Sequence, residues 1–167
     1  MRRGFVVRAQ TERVRLPNGH LVDLDIVRHP GAAAVVPITA HGEVVLIRQY
    51  RHAAGGTLYE VPAGKLEPGE DPALCAAREL EEEAGERAGR LLPLGWIWTT
   101  PGFTDERIHL FAALDLTPVA QRLQADEVIE TVRLPFADAL ALVWSGQLND
   151  AKSALALLHA ARALGRL

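Results

Sequence analysis

Residues 64–86, GKLEPGEDPALCAARELEEEAGE, constrain this chain more than any other stretch. Asp71 offers a side-chain oxygen to the orphan amides of a helix start, Pro72 fits a first turn, and Gly85 suits a left-handed stop. The pattern predicts a helix over 72–84. Along it Leu74, Ala77, Leu80 and Ala84 recur at three- and four-residue steps and read as an apolar stripe, while Glu79, Glu82 and Glu83 recur at i, i+3, i+4 on another face. Glutamates four residues apart repel, and in the C-terminal half of a helix the dipole disfavours them as well. A hard divalent cation offsets both costs, and carboxylate oxygens suit Mg²⁺ or Mn²⁺ rather than Zn²⁺. Taken alone, an acidic helix face is most often simply solvated. The flanking residues change that balance.

Gly64, five residues, Glu70, seven residues and then Arg78-Glu79-Leu80-Glu81-Glu82-Glu83-Ala84-Gly85 resemble the box of the Nudix hydrolases, G-x5-E-x7-R-E-U-x-E-E-x-G-U, with U a bulky apolar residue. Every fixed position matches; the final U is Glu86 here. The resemblance implies that Glu79 and Glu83 are the principal ligands of Mg²⁺, with Mn²⁺ as an alternative, and that Glu82 is a further ligand or a water-activating base. It implies a backbone carbonyl ligand at Ala63 and structural roles for Gly64, Glu70, Arg78 and Gly85, the Glu70–Arg78 pair bracing the loop onto the helix. The implied reaction is hydrolysis of a nucleoside diphosphate linked to another moiety. Bound cations serve it by lowering the pKa of water and neutralising charge on the diphosphate oxygens.

A chain of 167 residues with a net charge of −3 is long enough for one domain with a real core, and it lacks the basic balance that a nucleic-acid partner selects. No repeat, linker or boundary divides it, so residues 1–167 are expected to form one domain. The single Cys75 has no disulfide partner and reads as a packing residue in a reducing compartment. Nowhere do eighteen apolar residues run together, and Met1 to Arg15 has no apolar core of a secretion signal, so no membrane association and a cytoplasmic location are the expectations.

Residues 5–9, 11–16 and 20–28 read as strands of an N-terminal antiparallel sheet around the Pro17-Asn18-Gly19 turn. Further strands are expected at 32–39, 43–50, 59–62, 91–99, 107–115 and 127–134, and helices at 135–144 and 151–163. Strands mixed with three helices indicate an α/β sandwich of the α+β kind, not a series of parallel crossover units. With the family resemblance, the expectation is the Nudix α/β/α sandwich of mixed sheets, in which residues 1–30 form a separate sheet.

Substrate choice has to come from outside the box. Thr100-Pro101-Gly102-Phe103-Thr104-Asp105-Glu106 is a Pro-Gly turn by its residues, yet it resembles a loop of the ADP-ribose pyrophosphatase subfamily. So do Leu16-Pro17-Asn18-Gly19, His29-Pro30-Gly31-Ala32, Arg48-Gln49-Tyr50-Arg51, Glu60, Pro62-Ala63-Gly64 and Gly146–Ala151. The likeness implies that Arg51 and Lys65 contact substrate, that Pro101, Gly102 and Glu106 line the ribose end, and that ADP-ribose is split to AMP and ribose 5-phosphate. It also implies a homodimer that exchanges N-terminal sheets. An acidic residue on a later loop is expected as an added ligand or base; Asp126, Glu127 and Glu130 are the candidates, with Glu127 preferred because it precedes Val128-Ile129. Two alternatives stand: another nucleotide derivative as substrate (nucleotide sugar, FAD, NADH or dinucleoside polyphosphate), or a non-catalytic sensor of ADP-ribose. Trp96 and Trp98 alternate on a strand and read as core or dimer packing sooner than as a base-stacking surface. His52 and His109 have no partner at zinc spacing.

Overall fold

The computed structural model describes residues 8–166; residues 5–7, expected in a first strand, lie outside them. Arg8–Arg15 (β1) and Leu21–Arg28 (β2) form an antiparallel hairpin. The two short strands expected at 5–9 and 11–16 are, within the described residues, one continuous strand, since nothing between Ala9 and Glu12 breaks the pairing with β2. The hairpin meets the body through backbone bonds from Val27 N to Phe103 O (2.7 Å) and from Asp105 N to Val27 O (3.3 Å).

The body is an α/β/α sandwich of mixed sheets. Ala32–Pro37 (β3), Glu43–Arg51 (β4), Gly56–Glu60 (β5) and Ala63–Lys65 (β6) precede the helix Pro72–Ala84 (α1). Glu86–Trp98 (β7), Arg107–Pro118 (β8), Ile129–Pro135 (β9), Phe136–Trp144 (α2) and Ala151–Ala163 (α3) complete it. One sheet has the order β6-β3-β8-β7 and the other β5-β4-β9. β3 runs parallel to β8, and the other pairings are antiparallel.

β3, AAAVVP, is buried on both faces, which is why it reads as an unbroken apolar run instead of an alternating one. Its residues still alternate in direction. Ala33 and Val35 pack with Cys75, Ala76 and Leu80 of α1, whereas Ala32, Ala34 and Val36 pack with Ala156, Leu157 and Ala160 of α3. The two helices therefore cover opposite faces of one sheet. Among the described residues no helix is long and apolar enough to cross a membrane.

β7 starts at Glu86, directly after the helix, not near residue 91. The cause is non-local: Glu86 is buried and paired with Arg133 of β9, so the strand is held from its first residue. Pro93 is accommodated because β7 is an edge strand, and the register shifts between Pro93 and Gly95.

Candidate active site

The helix α1 occupies Pro72–Ala84, the span that its caps predict. Asp71 accepts a hydrogen bond from Ala73 N at 2.7 Å, and Gly85 ends the helix in the left-handed region at φ 65°. Which face is buried differs from the apolar pattern. At about 100° per residue, Cys75, Glu79, Glu83, Ala76, Leu80 and Ala84 form one contiguous buried arc. Leu74 is 66% exposed and Ala77 only half-buried. Glu79 (6% exposed) and Glu83 (3% exposed) sit in the middle of the arc, so the packed side and the acidic side overlap.

The loop before the helix is shaped around Glu79. A Cβ on Gly64 would lie 1.8 Å from Glu79 Oε1 and 2.1 Å from its Cδ, so only glycine leaves room for the carboxylate there. Ala63 N donates to Glu83 Oε2 at 2.9 Å. Arg78 Nε donates to Glu70 Oε1 at 3.0 Å, and Arg78 Nη1 donates to Glu79 Oε1 at 2.6 Å and to Glu82 Oε2 at 3.4 Å. Glu70 also accepts from Glu67 N at 2.9 Å, which closes the loop on itself. No three acidic, histidine or cysteine side chains among the described residues close on one point.

Burial makes the two central carboxylates hard to ionise. Glu83 is pushed up to about 8, first by loss of solvent and then by the negative charges of Glu79 and Glu127, against the opposing bond from Ala63. Glu79 is raised for the same first reason, with Arg78 opposing. A pair of buried oxygen donors whose charges have no full compensation within the protein is the donor set that a hard divalent cation fits. Such a cation is also the kind of ion that the resemblance of the box implies.

The pair opens into a cleft of about 810 Å³. Arg51, Ala63, Gly64, Lys65, Glu106 and Glu127 of the expected site residues line it with Glu79 and Glu83. Glu82, beside Arg78, is not among the lining residues, and neither are Pro101 and Gly102, which are exposed in the turn where Phe103 N and Thr104 N donate to Thr100 O at 3.2 and 3.1 Å. Glu127 lies on a loop whose near end is tied to α1. Gln121 Nε2 donates to Glu83 O at 2.6 Å, and Arg122 N donates to Glu82 O at 3.0 Å. Those bonds satisfy carbonyls that a helix C-terminus leaves open.

One wall adds to the expected Arg51 a cation that sequence reasoning did not single out, Lys152. Glu60, 1% exposed, accepts both guanidinium bonds of Arg51, at 2.7 and 2.8 Å, and is paired with Lys152 as well. Burial alone would raise its pKa, but Arg51 and Lys152 outweigh that and hold it below the ordinary carboxylate value. Lys152 also reaches Asp150 at 2.9 Å, the N-cap of α3. The signal for Lys152 was its place in the first turn after Asn149-Asp150; its meeting with Glu60, 92 residues away, is a tertiary fact. His29 enters the cleft too: its Nδ1 accepts from Gly31 N at 3.1 Å, and its Nε2 faces Glu106 at 3.4 Å. Trp98 lines the cleft, and both it and Trp96 are nearly half exposed with Arg107 stacked over them at 4.8 and 4.4 Å. Neither is a core residue.

Comparison with known proteins agrees with this arrangement. The NUDIX domain family matches residues 27–155. The chain is 42% identical to an ADP-ribose pyrophosphatase of Bacillus subtilis (strain 168) over 158 residues, covering 93% of this chain and 85% of that protein. It is also 42% identical to a methanol dehydrogenase activator of Bacillus methanolicus, with the same coverage of 93% and 85%. A crystal structure of an ADP compounds hydrolase shares the fold with a TM-score of 0.83 at 24% identity, over 100% of this chain and 92% of the other.

Proposed function

The chain belongs to the Nudix family, and we propose that it is a divalent-cation-dependent hydrolase that cleaves ADP-ribose to AMP and ribose 5-phosphate. The observation that carries this is the pairing of two buried carboxylates, Glu79 and Glu83, with a cationic wall of Arg51 and Lys152 across one cleft. Glu79, Glu83 and the Ala63 carbonyl are the residues that would hold the cation, with Mg²⁺ the preferred ion and Mn²⁺ the alternative. When bound, it supplies Lewis-acid neutralisation of the diphosphate.

The chain's own groups do the rest. Arg51 and Lys152 present positive charge to the phosphates while Glu60 holds them in place. Lys65 stands at the rim beside Gly64. Glu127 is our choice for the group that accepts the proton of the attacking water, favoured over Glu82 because Glu127 lines the cleft. One P–O bond of the diphosphate breaks, the water oxygen remains on phosphorus, and the released proton passes to solvent. Glu106, backed by His29, faces the ribose end. The exposed hairpin β1–β2 is the arm of a homodimer in this reading, and Cys75, whose burial lifts its thiol to about 12, suits a reducing cytoplasm.

The test is direct: purified protein with Mg²⁺ and ADP-ribose yields AMP and ribose 5-phosphate, and a panel of nucleotide sugars, FAD, NADH and dinucleoside polyphosphates turns over more slowly. Preferential cleavage of a panel member reassigns the substrate. The Bacillus methanolicus relative, named as an activator of a dehydrogenase, favours a second reading in which the chain regulates a partner enzyme. Tight ADP-ribose binding without hydrolysis would select the sensor form of it.

A further inference from the structure

Along β4 the residues Val45, Ile47, Gln49 and Arg51 share one side of the strand. Val45 packs under α1, and Gln49 and Arg51 line the cleft. Gln49 is 7% exposed, and its Oε1 is the one buried side-chain polar atom among the described residues that has no hydrogen-bond partner. A buried amide oxygen left unpaired forfeits its hydration with nothing in return. Such an atom in a residue of the cleft wall calls for a donor that arrives with the ligand.

The chemistry of the surroundings narrows what that is. With a cation seated at them, the cleft carboxylates Glu79 and Glu83 are ionised and accept hydrogen bonds without donating, as does every oxygen of an ionised diphosphate. The Arg51 guanidinium is turned to Glu60. Water in the hydration shell of a hard cation is a polarised donor, and Mg²⁺ keeps several such waters when bound by one or two carboxylates. Gln49 also shares a wall with the Glu127 loop: it stands opposite Ile129 in the β4–β9 ladder, and Tyr50 N donates to Val128 O at 3.2 Å.

We propose that Gln49 is a positioning residue whose carboxamide oxygen accepts a hydrogen bond from a hydration-shell water of the cation seated at Glu79 and Glu83. It rests on the reading of those two residues as the cation's seat. A neutral amide suits the place because it adds an acceptor without another negative charge beside carboxylates that already repel.

The experiment uses the full chain and Mn²⁺ as the probe, read by calorimetry or by the electron paramagnetic resonance of free Mn²⁺, together with melting of the metal-free protein. Gln49→Met keeps the volume and removes the acceptor. The expected result is Mn²⁺ affinity weakened about tenfold and a metal-free Tm that rises by about 2 °C or more, because an orphaned oxygen has been removed. Gln49→Glu restores an acceptor and should return affinity toward wild type while losing the gain in metal-free stability. A Met variant that binds Mn²⁺ as tightly as wild type, or that melts below it without metal, overturns the role of Gln49. Wild-type protein that binds no Mn²⁺ overturns the seat itself and Gln49's role with it, so the two failures are distinguishable.

Discussion

The floor of the cleft and its rim are built by different means. The floor is α1 packed on β3, with Glu79 and Glu83 in the centre of a buried arc and a glycine that leaves room for the Glu79 carboxylate. The rim, where the β1–β2 hairpin meets the Thr100–Glu106 loop, rests on a few bonds: Val27 N to Phe103 O at 2.7 Å, His29 N to Asp105 Oδ1 at 2.7 Å and Arg28 to Asp105 at 3.0 Å. A packed floor is preorganised and intolerant of change; an exposed rim adapts cheaply. In the proposed reading, reaction type belongs to the first and substrate choice to the second.

The contrast breaks most visibly at Glu83. Glu83→Gln should lower kcat/KM by about a hundredfold or more without lowering the metal-free Tm near neutral pH, because a carboxyl raised to about 8 is already largely neutral there and an amide oxygen can still accept from Ala63 N. Steady-state kinetics and melting on one preparation check both halves. Gly64→Ala comes next: the added methyl displaces Glu79, so activity should fall by about ten- to a hundredfold while the helix itself survives. Circular dichroism alongside turnover separates that from unfolding.

The rim answers more weakly. Arg28→Ala removes exposed pairs with Asp105 and Glu12, and KM for ADP-ribose should change by at most about fivefold with kcat held. A kcat loss as large as that of Glu83→Gln would erase the distinction between floor and rim. Leu74→Ala, on the outer face of α1, should shift stability by no more than about 0.5 kcal/mol in denaturant melts.

The legibility of each part follows from whether its causes are local. The bounds of α1 could be read from Asp71-Pro72 and Gly85, because caps act within one turn. The Nudix sandwich was legible through the box and the strand order that follows it. The buried face of α1 was not: apolar spacing pointed to Leu74 and Ala77, whereas the cleft requires two glutamates inward, and that requirement comes from the sheet beneath. Lys152, Gln49 and the Glu86–Arg133 pair were unread for the same reason, since each depends on strands and helices far apart in sequence. Trp96 and Trp98, read as core or dimer packing, are outside the core, because alternation specifies a face but not what covers it.

The seat formed by Glu79 and Glu83 is tested most directly by melting the wild-type protein at pH 6 and at pH 9, each with and without Mg²⁺. Glu83 is raised from an ordinary value of 4.5 to about 8 in the folded chain. Its share of metal-free stability is thus fully present below the unfolded value and is lost as pH rises through about 8. Cation binding needs the ionised carboxylate and offsets that loss. The gain in Tm produced by Mg²⁺ should therefore be clearly larger at pH 9 than at pH 6. An equal gain at both pH values, or none at either, would contradict a cation seat at this pair.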